Sequence, residues 1–285
     1  MNIYQTNQIN EHLTLICEYL GEWALNVMTL VEGNEAAAII DTGMGVTGDL
    51  KKYLETLTDK PVRYCLLTHG DPDHVGGAPL FDDVYMSKRD DAFLPWGLSR
   101  ETRLHYVDYM SGGNQDLISY AAEHIVKTES ILYKDIKDGQ IFDLGGIRLR
   151  AISFPGHSPG SMCFINESEN YVLTGDAFNP GLWLWLDRCP SVLEYYYSAQ
   201  KFLSLINEQT TLYCGHMMEA LPKEFPGEML TACREVLEGQ THSDPEIIEW
   251  MPLLDLLPQT KNAREHRVGN TSLCYRIDRI KTALH

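Results

Sequence analysis

Apolar positions in the first forty residues fall into short runs divided by polar turns. Leu13 to Glu18, Asn26 to Val31 and Ala36 to Asp41 read as strands, with breaks such as Glu32-Gly33-Asn34-Glu35 between them, the pattern of an antiparallel meander. The period then changes. Leu50, Tyr53, Leu54 and Leu57 form a stripe at helical spacing that starts at Thr47 and is closed by Pro61. Val62, Tyr64, Cys65, Leu66 and Leu67 make a short buried strand. Farther on, Asp143-Leu144-Gly145-Gly146 offers hairpin chemistry between Ile141 to Phe142 and Ile147 to Phe154, and Glu167-Ser168-Glu169-Asn170 joins Phe164 to Asn166 with Tyr171 to Thr174. Helical stripes return at Val192, Tyr195, Ala199, Phe202 and Ile206 and over Phe225 to Leu237, ahead of a last strand at Ser272 to Ile277. The order predicts an α/β chain with two sheets flanked by helices. Residues of about 88–135 and 240–270 are too long for simple connections and read as helical, substrate-side insertions in the single domain.

The strand ending at Leu67 runs straight into Thr68-His69-Gly70-Asp71-Pro72-Asp73-His74-Val75-Gly76-Gly77, with two imidazoles and two carboxylates in close succession. In an extended loop His69, Asp71 and Asp73 point one way and His74 another, so two faces suggest two metals. Pro72 holds Asp71 extended and keeps its short carboxylate projecting. A lone His-x-Asp reads more readily as a turn capping the next helix, so further ligands decide the matter. They follow at strand ends: Phe154-Pro155-Gly156-His157, Val172-Leu173-Thr174-Gly175-Asp176 and Leu212-Tyr213-Cys214-Gly215-His216. Imidazole and carboxylate together suit a borderline divalent ion.

On these residues the chain resembles the metallo-beta-lactamase superfamily, whose hallmarks are an Asp after an early strand, a His-x-His-x-Asp-His loop, and then a lone His, a lone Asp and a lone His. They fall here on Asp41, on His69 to His74, and on His157, Asp176 and His216, over about residues 12 to 280. The resemblance implies an αββα sandwich of two mixed β-sheets, and a metallo-hydrolase of the glyoxalase II and lactonase-like branch. It also implies one metal on His69, Asp71 and His157 and a second on Asp73, His74 and His216, with Asp176 bridging. Asp73 and Asp176 are the candidate catalytic residues, and Asp41 would orient a ligand or loop, although on local sequence it reads nearly as well as an ordinary turn residue. The departure is Asp71, where the family has its second His. The flavodiiron branch has a carboxylate there, but normally with an appended flavodoxin domain for which this length leaves no room.

Zinc is the default pair of ions, and the extra carboxylate makes manganese or iron credible. Two such ions would share an acidified water and present hydroxide to an electrophile. With Asp71 the bare site is one positive charge poorer than with His, so that water should be less acidified. Alternatively Asp71 is too short to reach the ion and only hydrogen-bonds a ligand. The leading expectation is a hydrolase of a small ester, thioester, lactone or phosphoester. An iron-dependent oxygen-using enzyme and a non-catalytic metal-bound sensor are the alternatives.

Composition narrows the setting. The 285 residues are 44% hydrophobic, enough for one elaborated domain over 1–285, and a formal charge of -17 argues against a nucleic-acid partner. The seven cysteines are odd in number and lack a C-x-x-C pair, as buried thiols in a reducing compartment would be. The start, Met1-Asn2-Ile3-Tyr4, has no basic region before an apolar stretch and no run is long enough to span a bilayer, so no membrane partner and a cytoplasmic location are expected. The expected partner is a small-molecule substrate, with homo-oligomer formation left open. His12, His105, His124, His242, His266 and His285 are mostly expected to face solvent, with His105 and His242, inside the insertions, the two that could serve the site. Trp183 and Trp185 share a face by alternation and either wall a pocket or fill the core, with the core favoured.

Overall fold

The computed structural model describes residues 3–21, 25–247 and 262–281. A seven-stranded sheet runs in chain order through β1 (Tyr4–Gln8), β2 (Leu13–Tyr19), β3 (Leu25–Glu32), β4 (Ala37–Ile40), β5 (Val62–Leu66), β6 (Val84–Met86) and β7 (Lys134–Asp135). The meander from β1 to β4 is antiparallel, and β4 to β7 then pair in parallel. A second sheet has the order β13 (Thr211–Tyr213), β11 (Tyr171–Leu173), β10 (Met162–Asn166), β9 (Arg148–Ser153) and β8 (Ile141–Asp143), antiparallel except for the parallel pair of β11 with β13.

Strand alternation explains the layering. In the first sheet Leu15, Cys17, Val27, Val31, Ala38, Ile40 and Leu66 face the second sheet, where they meet Phe142, Leu149, Ala151, Phe164, Tyr171 and Leu173. The intervening residues, among them Ile16, Met28, Leu30, Ile39 and Cys65, face outward onto α1 (Leu50–Leu54), α4 (Arg100–Met110) and α5 (Gln115–His124). The outer face of the second sheet buries Cys163, Ile165 and Val172 under α6 (Val192–Leu203) and α7 (Phe225–Glu238). The result is the αββα arrangement, with both sheet faces apolar because both are covered.

A third, three-stranded sheet adds to the two that the sequence predicts. In it β15 (Thr271–Arg276) pairs in parallel with β12 (Gly181–Leu184) and antiparallel with β14 (Ala263–Val268). Residues 263–268 are therefore strand and not part of a helical insertion, while residues 248–261 of that expected insertion lie outside the described residues. The charges of β14 hide it in the sequence. Glu265 is buried, accepting from Ser272 Oγ at 2.5 Å and pairing with Arg267, and His266 lies buried between Asp244 at 2.9 Å and Glu235 at 2.9 Å, contrary to the expectation that it faces solvent.

The 88–135 region is largely helical: a 3-10 segment Lys88–Phe93, α3 (Leu94–Gly97), α4 and α5. All seven cysteines are buried free thiols. Trp185 is fully buried in the core, with Trp183 packed beside it at 5.4 Å between ring centroids. Among the described residues no helix is long and apolar enough to cross a membrane.

Candidate metal centre

Parallel pairing brings the ends of β4 and β5 together, and likewise those of β11 and β13, so the loops that follow them converge on one rim of the sandwich. Asp41 follows β4, His69 to His74 follow β5, His157 follows β9, Asp176 follows β11 and His216 follows β13. Two backbone bonds knit the rim across the sheets, from Met162 N–H to the Thr68 carbonyl at 2.9 Å and from Val27 N–H to the Gly215 carbonyl at 2.8 Å.

The His69 loop is not extended throughout. Asp71 is extended, but Pro72 begins a short helix, α2 (Pro72–Val75), because proline presets a helical φ and has no N–H to lose at a first turn. Asp73 and His74 therefore leave the loop from a helical turn instead of continuing the alternation with His69. Asp71 holds the N-cap position without using its side chain as a cap.

Each imidazole is oriented through Nδ1. That of His157 donates to the Trp183 carbonyl at 3.1 Å and that of His216 to the Leu25 carbonyl at 2.6 Å. His74 Nδ1–H donates to Asp41 Oδ2 at 2.8 Å. The same carboxylate takes the Thr68 hydroxyl and backbone N–H, each at 2.8 Å, which leaves Thr68 Oγ1 to accept from His69 Nδ1 at 2.9 Å. Asp41 thus orients His74 directly and His69 through Thr68, from a left-handed backbone conformation with φ 59°.

With their protons on Nδ1, the neutral rings turn four Nε2 lone pairs inward. Those of His69 and His74 are buried and meet no hydrogen-bond partner among the described residues, nor does Asp176 Oδ1. Those of His157 and His216 stand 3.0 Å from Asp71 Oδ2 and Asp176 Oδ2, lone pair against lone pair unless a proton or metal ion intervenes. The other separations are 3.7 Å from His69 Nε2 to Asp71 Oδ2, 3.6 and 3.5 Å from His74 Nε2 to Asp73 Oδ2 and Asp176 Oδ1, and 3.7 Å from His216 Nε2 to Asp73 Oδ2. Ligands about 2.0–2.2 Å from a tetrahedral ion stand roughly 3.3–3.6 Å apart, so these residues fit a metal. Among the described residues three trios can hold one: His69 with Asp71 and His157, Asp73 with His74 and His216, and His69 with His74 and Asp176, the last linking the other two.

The electrostatics of the cluster call for positive charge. Burial lowers the pKa of His216, but the Asp176 carboxylate outweighs it and lifts the group to about 9. Burial works against the charged form of His74 too, yet Asp73, Asp41 and Asp176 together raise it well above the ordinary range. Burial pushes Asp176 up, yet His216 and His74 hold it well below the usual carboxylate range. Space is tight as well: a Cβ on Gly215 would stand 2.8 Å from both Asp176 Oδ1 and His74 Cε1.

Two residues that sequence reasoning passes over complete the site. Arg188 Nη2 reaches both oxygens of Asp71, 2.5 Å from Oδ1, and its guanidinium lies over Trp96 at 4.8 Å and Phe93 at 5.4 Å. Burial pushes Asp71 up, but Arg188, then His69 and His157, hold it well below its ordinary value. The charge deficit inferred from the sequence therefore omits a cation in direct contact. Asp90 is fully buried and ties two ligand loops together, accepting from Gly70 N–H at 3.1 Å, Gly160 N–H at 2.7 Å and the Ser158 hydroxyl at 2.6 Å. No local motif marks either residue. Arg188 lies in Leu186-Asp187-Arg188-Cys189, and Asp90 in a charge run, Lys88-Arg89-Asp90-Asp91.

A family model described as the metallo-beta-lactamase superfamily matches residues 22–216. The chain belongs to the metallo-beta-lactamase superfamily. Over 94% of this chain the fold is similar to that of a metallo-beta-lactamase family protein of Thermus thermophilus, covering 100% of that chain with a TM-score of 0.59 and 20% identity. Among curated relatives, the chain is 33% identical over 153 residues to the lactamase-like protein nscB of Aspergillus fumigatus, 52% of this chain and 36% of the relative. It is 34% identical over 140 residues to the atrochrysone carboxyl ACP thioesterase dmxR1 of a Cryptosporiopsis species, 48% of this chain and 34% of the relative. To the probable polyketide biosynthesis zinc-dependent hydrolase BaeB of Bacillus velezensis it is 28% identical over 158 residues, 55% of this chain and 57% of the relative. The match thus spans little more than a third of these fungal relatives' own length. The superfamily is metal-dependent, and the His and Asp trios are the residues here that could bind metals.

Proposed function

We propose that the chain is a hydrolase with two divalent ions, zinc by default, that cleaves a small activated ester-type compound, a thioester before a carboxylic ester, lactone or phosphoester. The observation that carries this reading is the convergence of four inward Nε2 lone pairs and three carboxylates on one rim, each imidazole fixed from behind. When bound, the ions supply a hydroxide at neutral pH and a Lewis acid for the acyl oxygen.

The chain's own residues orient, hold charge and take up the proton. Asp176, in reach of His74 and His216, links the two halves of the site. Asp73 receives no hydrogen bond among the described residues and stands 3.6 and 3.7 Å from the Nε2 atoms of His74 and His216, so one of its oxygens would hold an ion and the other is placed to take a proton during turnover. A covalent route through Cys189 is disfavoured, since burial pushes that thiol up to about 12. Leaving-group chemistry selects the substrate. The phenol of Tyr106 is raised by burial and by the charges of Asp71 and Asp73, so it retains its proton and makes a poor general acid. A thiol leaves as an anion at a pKa of about 8.5 with little help, whereas an amine needs a proton donor. The thioesterase and zinc-dependent hydrolase names of two relatives support the same choice.

The test is turnover of acyl-thioester, aryl-ester, lactone and phosphodiester substrates by protein loaded with zinc, manganese or ferrous iron. Thioester hydrolysis is expected, lost in Asp176→Ala and Asp73→Ala with circular dichroism unchanged. No turnover of any class with any of these metals would overturn the proposal.

A further inference from the structure

Position 71 is where this chain departs from the family's ligand pattern, and the departure has a partner. We propose that Asp71 and Arg188 act as one unit, the guanidinium cancelling the carboxylate so that the site keeps the net charge it would carry with an imidazole at position 71. The inference rests on the reading of the cluster as a metal centre and adds a charge-setting, positioning role for Arg188.

Three observations carry it. Arg188 is held in place: its side chain is 7% exposed, and the guanidinium lies over the rings of Trp96 and Phe93. Asp71 is its hydrogen-bond acceptor, and the buried Nε of Arg188 finds no partner, so nothing else among the described residues neutralises that cation by contact. The pairing also leaves the imidazole edge of Asp71 in use. Among the described residues Oδ1 bonds to Arg188 alone, while Oδ2, which Nη2 also touches, stands at ligand spacing from His157 and His69. Asp71, Asp73 and Asp176 with Arg188 carry two net negative charges, the same as Asp73 and Asp176 would carry facing an imidazole. The helical 88–135 region supplies the aromatic rings that hold the guanidinium, which gives that region a place in the metal site.

The consequence is that neither residue can be exchanged alone. Asp71→His, which writes the family's usual ligand, would leave a buried guanidinium unpaired beside the ions and loosen them. Arg188→Met would leave a carboxylate uncompensated and tighten them. The double variant would return to wild-type behaviour. The experiment is chelator competition with zinc-loaded protein, reading ions per chain and the dissociation constant of the weaker ion for wild type, both single variants, the double variant and Arg188→Lys. Opposite shifts of at least about tenfold in the single variants, recovery in the double variant and little change in Arg188→Lys are expected. Arg188→Met and Arg188→Lys keep the question answerable if Asp71→His does not fold. Wild type that takes up no zinc would overturn the reading of the centre and this inference with it. Wild type that takes up zinc, with single variants shifting in the same direction or not at all, would overturn the pairing alone.

Discussion

Asp90 touches no candidate ion ligand, yet it ties the Gly70 turn to the Ser158–Gly160 turn, and these turns follow His69 and His157 directly. Replacing it with alanine would strand the buried N–H groups of Gly70 and Gly160, while the Ser158 hydroxyl keeps Ser161 Oγ at 2.9 Å. An unsatisfied buried donor costs about 1–3 kcal/mol, so Asp90→Ala should lose roughly 3–5 kcal/mol of stability. At about 2–4 °C per kcal/mol for a chain of this size class, that lowers Tm by on the order of 10 °C. Asp90→Asn keeps an acceptor for Gly160 N–H but turns an amide donor toward Gly70 N–H or Ser158, and should lose about half as much. The assay is thermal unfolding followed by circular dichroism on metal-free protein, so that ion binding does not add to the transition. Zinc retention against a chelator, measured in parallel, should fall by about 10–100-fold, as expected when the support behind a ligand is removed. An Asp90→Ala Tm within about 2 °C of wild type would refute the claim that these bonds brace the loops.

Gly215→Ala should spare the fold and damage the centre, because the added Cβ would meet Asp176 Oδ1 and His74 Cε1 at 2.8 Å; zinc retention at least about tenfold weaker is expected, and unchanged retention would mean that Asp176 and His74 can give way. Metal-free protein should lose stability as pH rises. Against the effect of burial, Asp176 lifts His216 from 6.5 to about 9 in the fold, so the charged pair contributes fully below 6.5 and is lost as pH passes about 9. Tm recorded over that window should fall in wild type and fall less in His216→Ala, and a flat wild-type curve would contradict the assignment.

What can be read from the chain is what is written locally. The switch from period two to helical spacing after Asp41 marks β4 and the turn into α1, and each candidate ligand sits where an apolar run ends. Even the helical start at Pro72 has a local signal, proline at a first turn, which competes with the alternation argument and wins. The strand Ala263–Val268 is masked because Arg264, Glu265, His266 and Arg267 look solvated until their partners are known, and those partners include Asp244 and Glu235, far back in the chain.

The same blindness to distant partners governs the chemistry at position 71. A carboxylate read by itself subtracts a charge from the site and points to harder metals, whereas Arg188, 117 residues away in sequence, returns that charge through direct contact. Local pattern therefore locates a ligand, while its electrostatic effect belongs to the pair, because charges a few ångströms apart in a buried setting act on an ion together. Substituting the family's usual ligand into this chain is for that reason a change of charge balance before it is a change of ligand type, and the Arg188 variants separate the two.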